Sequence, residues 1–143
     1  MCRLVPLQRL RAVRELNDAG VNTGVLMMPI VPGFTSHPAK LEATIKAIAD
    51  HGAAFMGANV LHLKEGTRVH FMNFLEKNYP DMSKKYQRLY PGAYAPKSYA
   101  REVQGIVKML QSKYEVRRRP MSEDDGDKIL TTEGSQKKQR NLF

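Results

Sequence analysis

Side chains able to do chemistry are few and scattered in this 143-residue chain. Its single cysteine, Cys2, lies near the start of a helix-forming stretch and reads as an ordinary thiol. The four histidines, His37, His51, His62 and His70, lack a compact metal-ligand spacing such as H-E-x-x-H, which sets two imidazoles on one helical face. Asp124, Asp125 and Asp127 form an acidic cluster in a polar tail, where such clusters are usually just solvated. No glycine-rich phosphate loop, Ser–His–Asp arrangement or carboxylate pair stands out. What does stand out is Pro29-Ile30-Val31-Pro32-Gly33, directly after an apolar run. The bland reading is a tight strand-to-helix turn. The functional one is a binding loop, because parallel α/β folds place ligands at the carboxyl ends of their strands.

The elements that must position this loop can be read from apolar spacing. Pro6 suits the first position of a helix, where its missing N–H would have no partner anyway. Leu7, Leu10, Val13 and Leu16 then recur at near-helical spacing up to Gly20, a residue that stops helices at little steric cost. The run Thr23-Gly24-Val25-Leu26-Met27-Met28 predicts a strand buried on both faces, as in a helix-covered parallel sheet. After the loop, Thr35 or Ser36 can cap a helix with Pro38 in its first turn, an apolar face of Leu41, Ile45 and Ile48, and a stop at Gly52. A second strand is expected from Phe55 to Leu63, centred on Val60 and Leu61. Helix, strand, helix and strand with short connections are the pattern of parallel βα units.

Past Gly66 the period becomes helical. Val69, Met72 and Leu75, with Phe71 beside them, mark one helix closed by Tyr79-Pro80, and a shorter one runs from Met82 to Tyr90. After a break at Pro91 to Pro96, Ser98 is placed to cap a last helix carrying Val103, Ile106, Val107, Leu110 and Tyr114. The chain thus divides into a βα part (1–66), a helical extension (67–116) and a charged tail (117–143) expected to be disordered. Two parallel strands do not make a domain, since their edges and faces need further cover. Either the sequence is a piece of something larger, or the C-terminal helices fold back over the exposed surface.

Composition narrows the class. The length suits one domain, and no apolar run approaches the roughly 20 residues of a membrane span. Met1 to Pro6 has no signal-peptide core, and one cysteine excludes a disulfide framework, so a cytoplasmic setting is the default. The formal net charge of +9 admits a polyanion partner such as nucleic acid, because basic surfaces release counterions from phosphates. The charges are spread over helices and tail and form no aromatic-interleaved stripe, so solubility with a solvated basic tail is the favoured reading over nucleic-acid binding.

From Arg9 to Leu63 an ordered set of motifs carries a resemblance: Arg-Leu-x-Ala-Val-Arg-x-Leu, Ala19-Gly20-Val21, Gly24 to Gly33, His51-Gly52-Ala53 and Val60-Leu61-His62-Leu63. Together they resemble the second half of the radical S-adenosylmethionine (SAM) domain in proteins similar to spore photoproduct lyase, a group often labelled DNA repair photolyases. Val69-His70-Phe71-x-x-Phe74-Leu75 with Tyr79-Pro80 looks like that group's C-terminal extension, so the similarity covers roughly residues 4 to 114.

The resemblance implies an α/β fold, the C-terminal part of a partial (β/α)6 barrel with about two parallel strands and flanking helices. It implies SAM and a 4Fe–4S cluster as the cofactors of the full-length family, with three cysteines in a C-x3-C-x2-C-type motif holding three irons. It implies that Ile30, Val31, Pro32 and Gly33, together with Leu61, His62 and Leu63, hold the adenine and ribose of SAM. Within that reading Gly33 allows close backbone approach and Ile30 offers apolar contact to a purine. His62 departs from the pattern, in which arginine is common, and that puts a fixed charge there in doubt. One cysteine cannot hold the cluster, so this chain is expected to be inactive alone and to bind no cluster. It reads as a C-terminal fragment of a radical SAM enzyme. The alternatives are half of a split enzyme completed by a chain with the cysteine motif, and a basic nucleic-acid-binding remnant.

Overall fold

A computed structural model describes residues 6–119. Cys2, the acidic cluster and all of the tail beyond Arg119 lie outside the described residues. Helix α1 spans Pro6–Asp18, strand β1 Val25–Ile30, helix α2 Pro38–Asp50 and strand β2 Met56–Val60. Three helices follow: α3 (Glu65–Asn78), α4 (Pro80–Leu89) and α5 (Lys97–Lys113). The described chain is therefore mixed α/β, with five helices around a two-stranded parallel sheet.

The expected apolar stripes do bury. Leu41, Ile45 and Ile48 of α2, at helical spacing, join Val103, Val107 and Leu110 of α5 in one core with Ile30, Met56 and Val60 of the strands. Both helices thus cover one face of the sheet. They are also tied to each other, because Lys113 Nζ and Tyr114 Oη donate to Glu42 Oε1 at 2.6 and 2.8 Å. The bond from Lys113, above all, holds the Glu42 carboxyl below its ordinary value. Helix α1 is seated more lightly. It has no fully buried residue, sends Leu10 toward the core, and has Arg14 donating to the Asp50 carbonyl.

The expectation that β1 is buried on both faces is not met. Val25 and Met27 pack into the helix-side core, but Leu26 and Met28, on the other face, are 50% and 48% exposed. Side chains alternate across a strand, and all the core helices lie on one side. On β2, Gly57 shares the open face. A Cβ placed there would sit 3.1 Å from Leu26 and 3.8 Å from Met28. The C-terminal helices therefore do not close that surface. Helix α5 joins α2 on the covered side, while α3 and α4 form a second cluster around Leu63, Leu75, Tyr86 and Tyr90.

The chain after α5 also departs from expectation. Residues Arg117 to Arg119, read as the start of a disordered tail, run parallel to β2: the Met56 amide donates to Arg117 O at 2.8 Å, and the Arg119 amide donates to Met56 O at 2.9 Å. Main-chain pairing does not depend on side-chain hydropathy, so a run of arginines concealed it. Beyond this point the edge of β2 is closed by side chains, with Gln104 Nε2 donating to Ala58 O at 2.8 Å.

Capping differs as well. His37 and Pro96 hold the N-cap positions of α2 and α5, without side-chain cap bonds, in place of Thr35 or Ser36 and Ser98. The two loop hydroxyls serve the turn after β1 instead. Thr35 Oγ1 accepts from the Val31 amide at 2.7 Å, and Ser36 Oγ accepts from the Gly33 amide at 2.9 Å.

Candidate functional site

A parallel pair directs the carboxyl ends of both strands to the same end of the sheet, and a groove of about 330 Å³ lies there. Met28 and Pro29 line it from β1, and Asn59, Leu61 and His62 from β2 and the segment after it. Lys64 and Thr67 close it from the start of α3. Its wall is largely apolar with a few polar tips, a composition suited to a flat ring carrying a polar substituent.

Of the seven residues expected here, Leu61 and His62 line this groove. The others are used elsewhere. Ile30 is 1% exposed in the helix-side core, so the apolar contact expected of it is spent on α2 and α5 rather than offered to a ligand. Val31 packs against the second cluster. Pro32 is buried, with its carbonyl accepting from Tyr86 Oη at 2.6 Å. Gly33 adopts φ +74°, and a Cβ there would meet Met82 Cε at 2.5 Å, so its close approach is to α4 and not to a ligand. Leu63 is buried in the second cluster, and its amide donates to Ala93 O at 2.6 Å. His62 is exposed, with its ring 5.9 Å from that of Tyr94 across a short antiparallel bridge.

Sequence reading missed the residues that hold this end of the sheet together. Tyr86 of α4 and Tyr90, the residue at its C-cap, lie one turn apart, and their rings stack at 5.6 Å with 9° between planes. Tyr86 reaches the loop after β1, and Tyr90 Oη donates to Leu61 O, after β2, at 2.7 Å. One helix face thus fastens both post-strand segments. Arg68 of α3 supports the far end of α4, donating to Tyr90 O at 2.6 Å and to Gly92 O at 2.5 Å. The available signal was the i,i+4 tyrosine spacing, which sets two side chains on one face of a helix without indicating what they touch.

Burial raises both phenols: Tyr86 is driven well above the ordinary tyrosine value, and Tyr90 is pushed up to about 12. A raised value means that the fold favours the protonated form, the only form that can donate to these carbonyls. Their contribution is whole below about pH 10, where a free tyrosine also keeps its proton, and is lost as pH rises toward 12. Stability measured by urea unfolding is expected to stay level across neutral pH as far as these groups govern it, then fall between pH 10 and 12. In Tyr90→Phe that alkaline decline should be shallower.

The groove does not suit a metal cluster. Among the described residues no group of three or more His, Cys, Asp or Glu could hold a metal ion. A cluster held by three cysteines would also need two more than the whole chain contains.

No family model matches the chain, and no solved structure matches it at a significant level. Curated proteins that it resembles include one from Mycobacterium bovis and two from strains of Mycobacterium tuberculosis, each named only as an uncharacterized protein. Each is 32% identical over 110 residues, which cover 76% of this chain and 32% of the relative. The chain therefore spans about a third of the length of these relatives.

Proposed function

We propose that the chain is the C-terminal part of a radical SAM enzyme and contributes the adenosine side of the SAM site, while the cysteine-bearing segment lies in another part of the enzyme. The observation that carries this reading is the groove at the carboxyl ends of β1 and β2, with Leu61 and His62 in its wall. Leu61 supplies an apolar surface for a purine ring. The exposed His62 imidazole and the Thr67 hydroxyl supply hydrogen-bonding groups for ribose and ring nitrogens. The tyrosine pair of α4 keeps the two post-strand segments at a fixed separation, so the wall is in place before a ligand arrives. In such an enzyme the cluster supplies the electron that cleaves SAM. None of that chemistry falls to residues of this chain.

The reading is tested by titrating the isolated chain with SAM at millimolar concentration and following backbone amide NMR signals. Leu61, His62 and Met28 are expected to shift, and Leu61→Asp should remove the response. Signals that stay unmoved across the groove would overturn it. Anaerobic treatment with iron and sulfide should produce no 4Fe–4S absorption or EPR signal on the isolated chain, and appearance of that signal would count equally against it. A second form of the reading, half of a split enzyme completed by another chain, is favoured by the uncovered sheet face at Leu26 and Met28.

A further inference from the structure

We infer that the free edge of β1, with the open face beside it, is an interface at which another polypeptide segment adds a parallel strand and lays apolar side chains over Leu26 and Met28. The surface deepens the barrel reading by locating the partner. It rests on that reading only for what the added segment carries, not for where it attaches.

Among the described residues β1 pairs with β2 on one side and with no strand on the other. The Val25 amide donates to Phe55 O, on the β2 side. Because successive main-chain groups of a strand point to opposite edges, the N–H and C=O of Leu26 point to the vacant edge. Those of Met28 point there too, and the register with β2 breaks between Met27 and Ile30, so a new strand pairs along Leu26 to Met28. The side chains of Leu26 and Met28 are half exposed on the uncovered face, and Gly57, with Arg119 Cβ 3.7 Å from its Cβ position, adds no side chain of its own there. Edge and face thus meet at the same two residues. A partner strand placed there would satisfy main-chain groups and cover apolar surface in one step.

The opposite edge of the sheet is not available in this way, because Arg117 to Arg119 and the Gln104 amide already occupy it. The relatives indicate what the occupant is. The matched 110 residues are 32% of each, so about two thirds of those proteins lies outside the part this chain resembles. A parallel sheet with cover on one face and one open edge is what such a part would be if the rest supplied the neighbouring strands.

The probe is the M. tuberculosis relative without its matched 110 residues, purified separately, checked by circular dichroism to be folded, and mixed with this chain in buffer free of SAM, iron and sulfide. Size exclusion with light scattering should find a one-to-one complex. Hydrogen exchange at the Leu26 and Met28 amides should slow by at least about tenfold in it. Leu26→Asp with Met28→Asp should weaken the complex by at least about tenfold, with the chain's own helical circular dichroism unchanged. Absence of a complex overturns the inference, as does a complex in which those two amides exchange as before. Protection of the same amides in a self-dimer of the chain also overturns it. On the chain alone the double variant should lower binding of an apolar dye, and unchanged dye binding counts against the surface. Since no cofactor is present, these outcomes are separate from the SAM titration: the strand can add where SAM does not bind, and SAM can bind where no strand adds.

Discussion

Tyr86→Ala should lower the unfolding free energy by about 3 to 5 kcal/mol, the range for truncating a large buried aromatic side chain. Tyr86 is among the largest fully buried side chains, and it is the hub of the second cluster. Its ring lies 5.3 Å from Phe71 of α3, 5.6 Å from Tyr90 and 6.4 Å from Phe34 in the loop after β1. Removing it empties the space between α3, α4 and that loop, and also leaves the Pro32 carbonyl without its donor. Tyr86→Phe keeps the ring and deletes only the hydroxyl, so its cost should be about 1 to 2 kcal/mol, that of a buried acceptor left unpaired. Urea unfolding followed by circular dichroism measures both. If Tyr86→Phe costs as much as Tyr86→Ala, the hydrogen bond to Pro32 outweighs the packing of the ring. The same variants test the site. Tyr86→Phe should broaden the amide signals of residues 31–36, while those of β2 stay sharp.

Gly24→Ala is expected to cost about 3 kcal/mol, the upper part of the range for overpacking a filled site. A Cβ at this position would sit 2.4 Å from the Phe55 ring and 2.5 Å from the Phe55 carbonyl oxygen. The ring could turn away, but the carbonyl cannot, because it accepts from the Val25 amide in the first bond that joins the two strands. The methyl group would therefore push β1 from β2 at the start of their pairing. Gly105→Ala makes a sharp contrast. It lies within α5 with nothing within 4 Å of its Cβ position, and should stabilise the chain by about 0.5 to 1 kcal/mol through helix propensity. Equal and small effects at the two glycines would show that the strand pair is looser than its hydrogen bonds indicate.

Much of the fold can be read from apolar spacing, and the reason is local. Leu41, Ile45 and Ile48, or Val103, Val107 and Leu110, declare their helices because each set lies on one face of one element. Strand burial is different. Val25 to Met28 is uniformly apolar, so the run cannot reveal that Leu26 and Met28 face away from the core helices. That depends on where the helices go. The site was legible in part for the same reason. The carboxyl ends of the strands follow from the βα order, and Leu61 and His62 are found there. Ile30 and Leu63 lie outside the groove because alternate residues of extended chain point in opposite directions, and Pro32 because the turn after β1 carries it under α4; all three are buried. Tyr86 and Tyr90 were passed over because their partners are carbonyls 54 and 29 residues away.

The side-chain amide of Gln104 on Ala58, together with the arginine strip on Met56, has a consequence for self-association. A sheet with two receptive borders can recruit copy after copy and grow into a fibre. This one is sealed along β2, so a copy that joined at β1 would present its own sealed border next. Growth would stop after a single addition, which makes the chain a terminator of sheets and keeps an exposed strand from becoming a seed for aggregation.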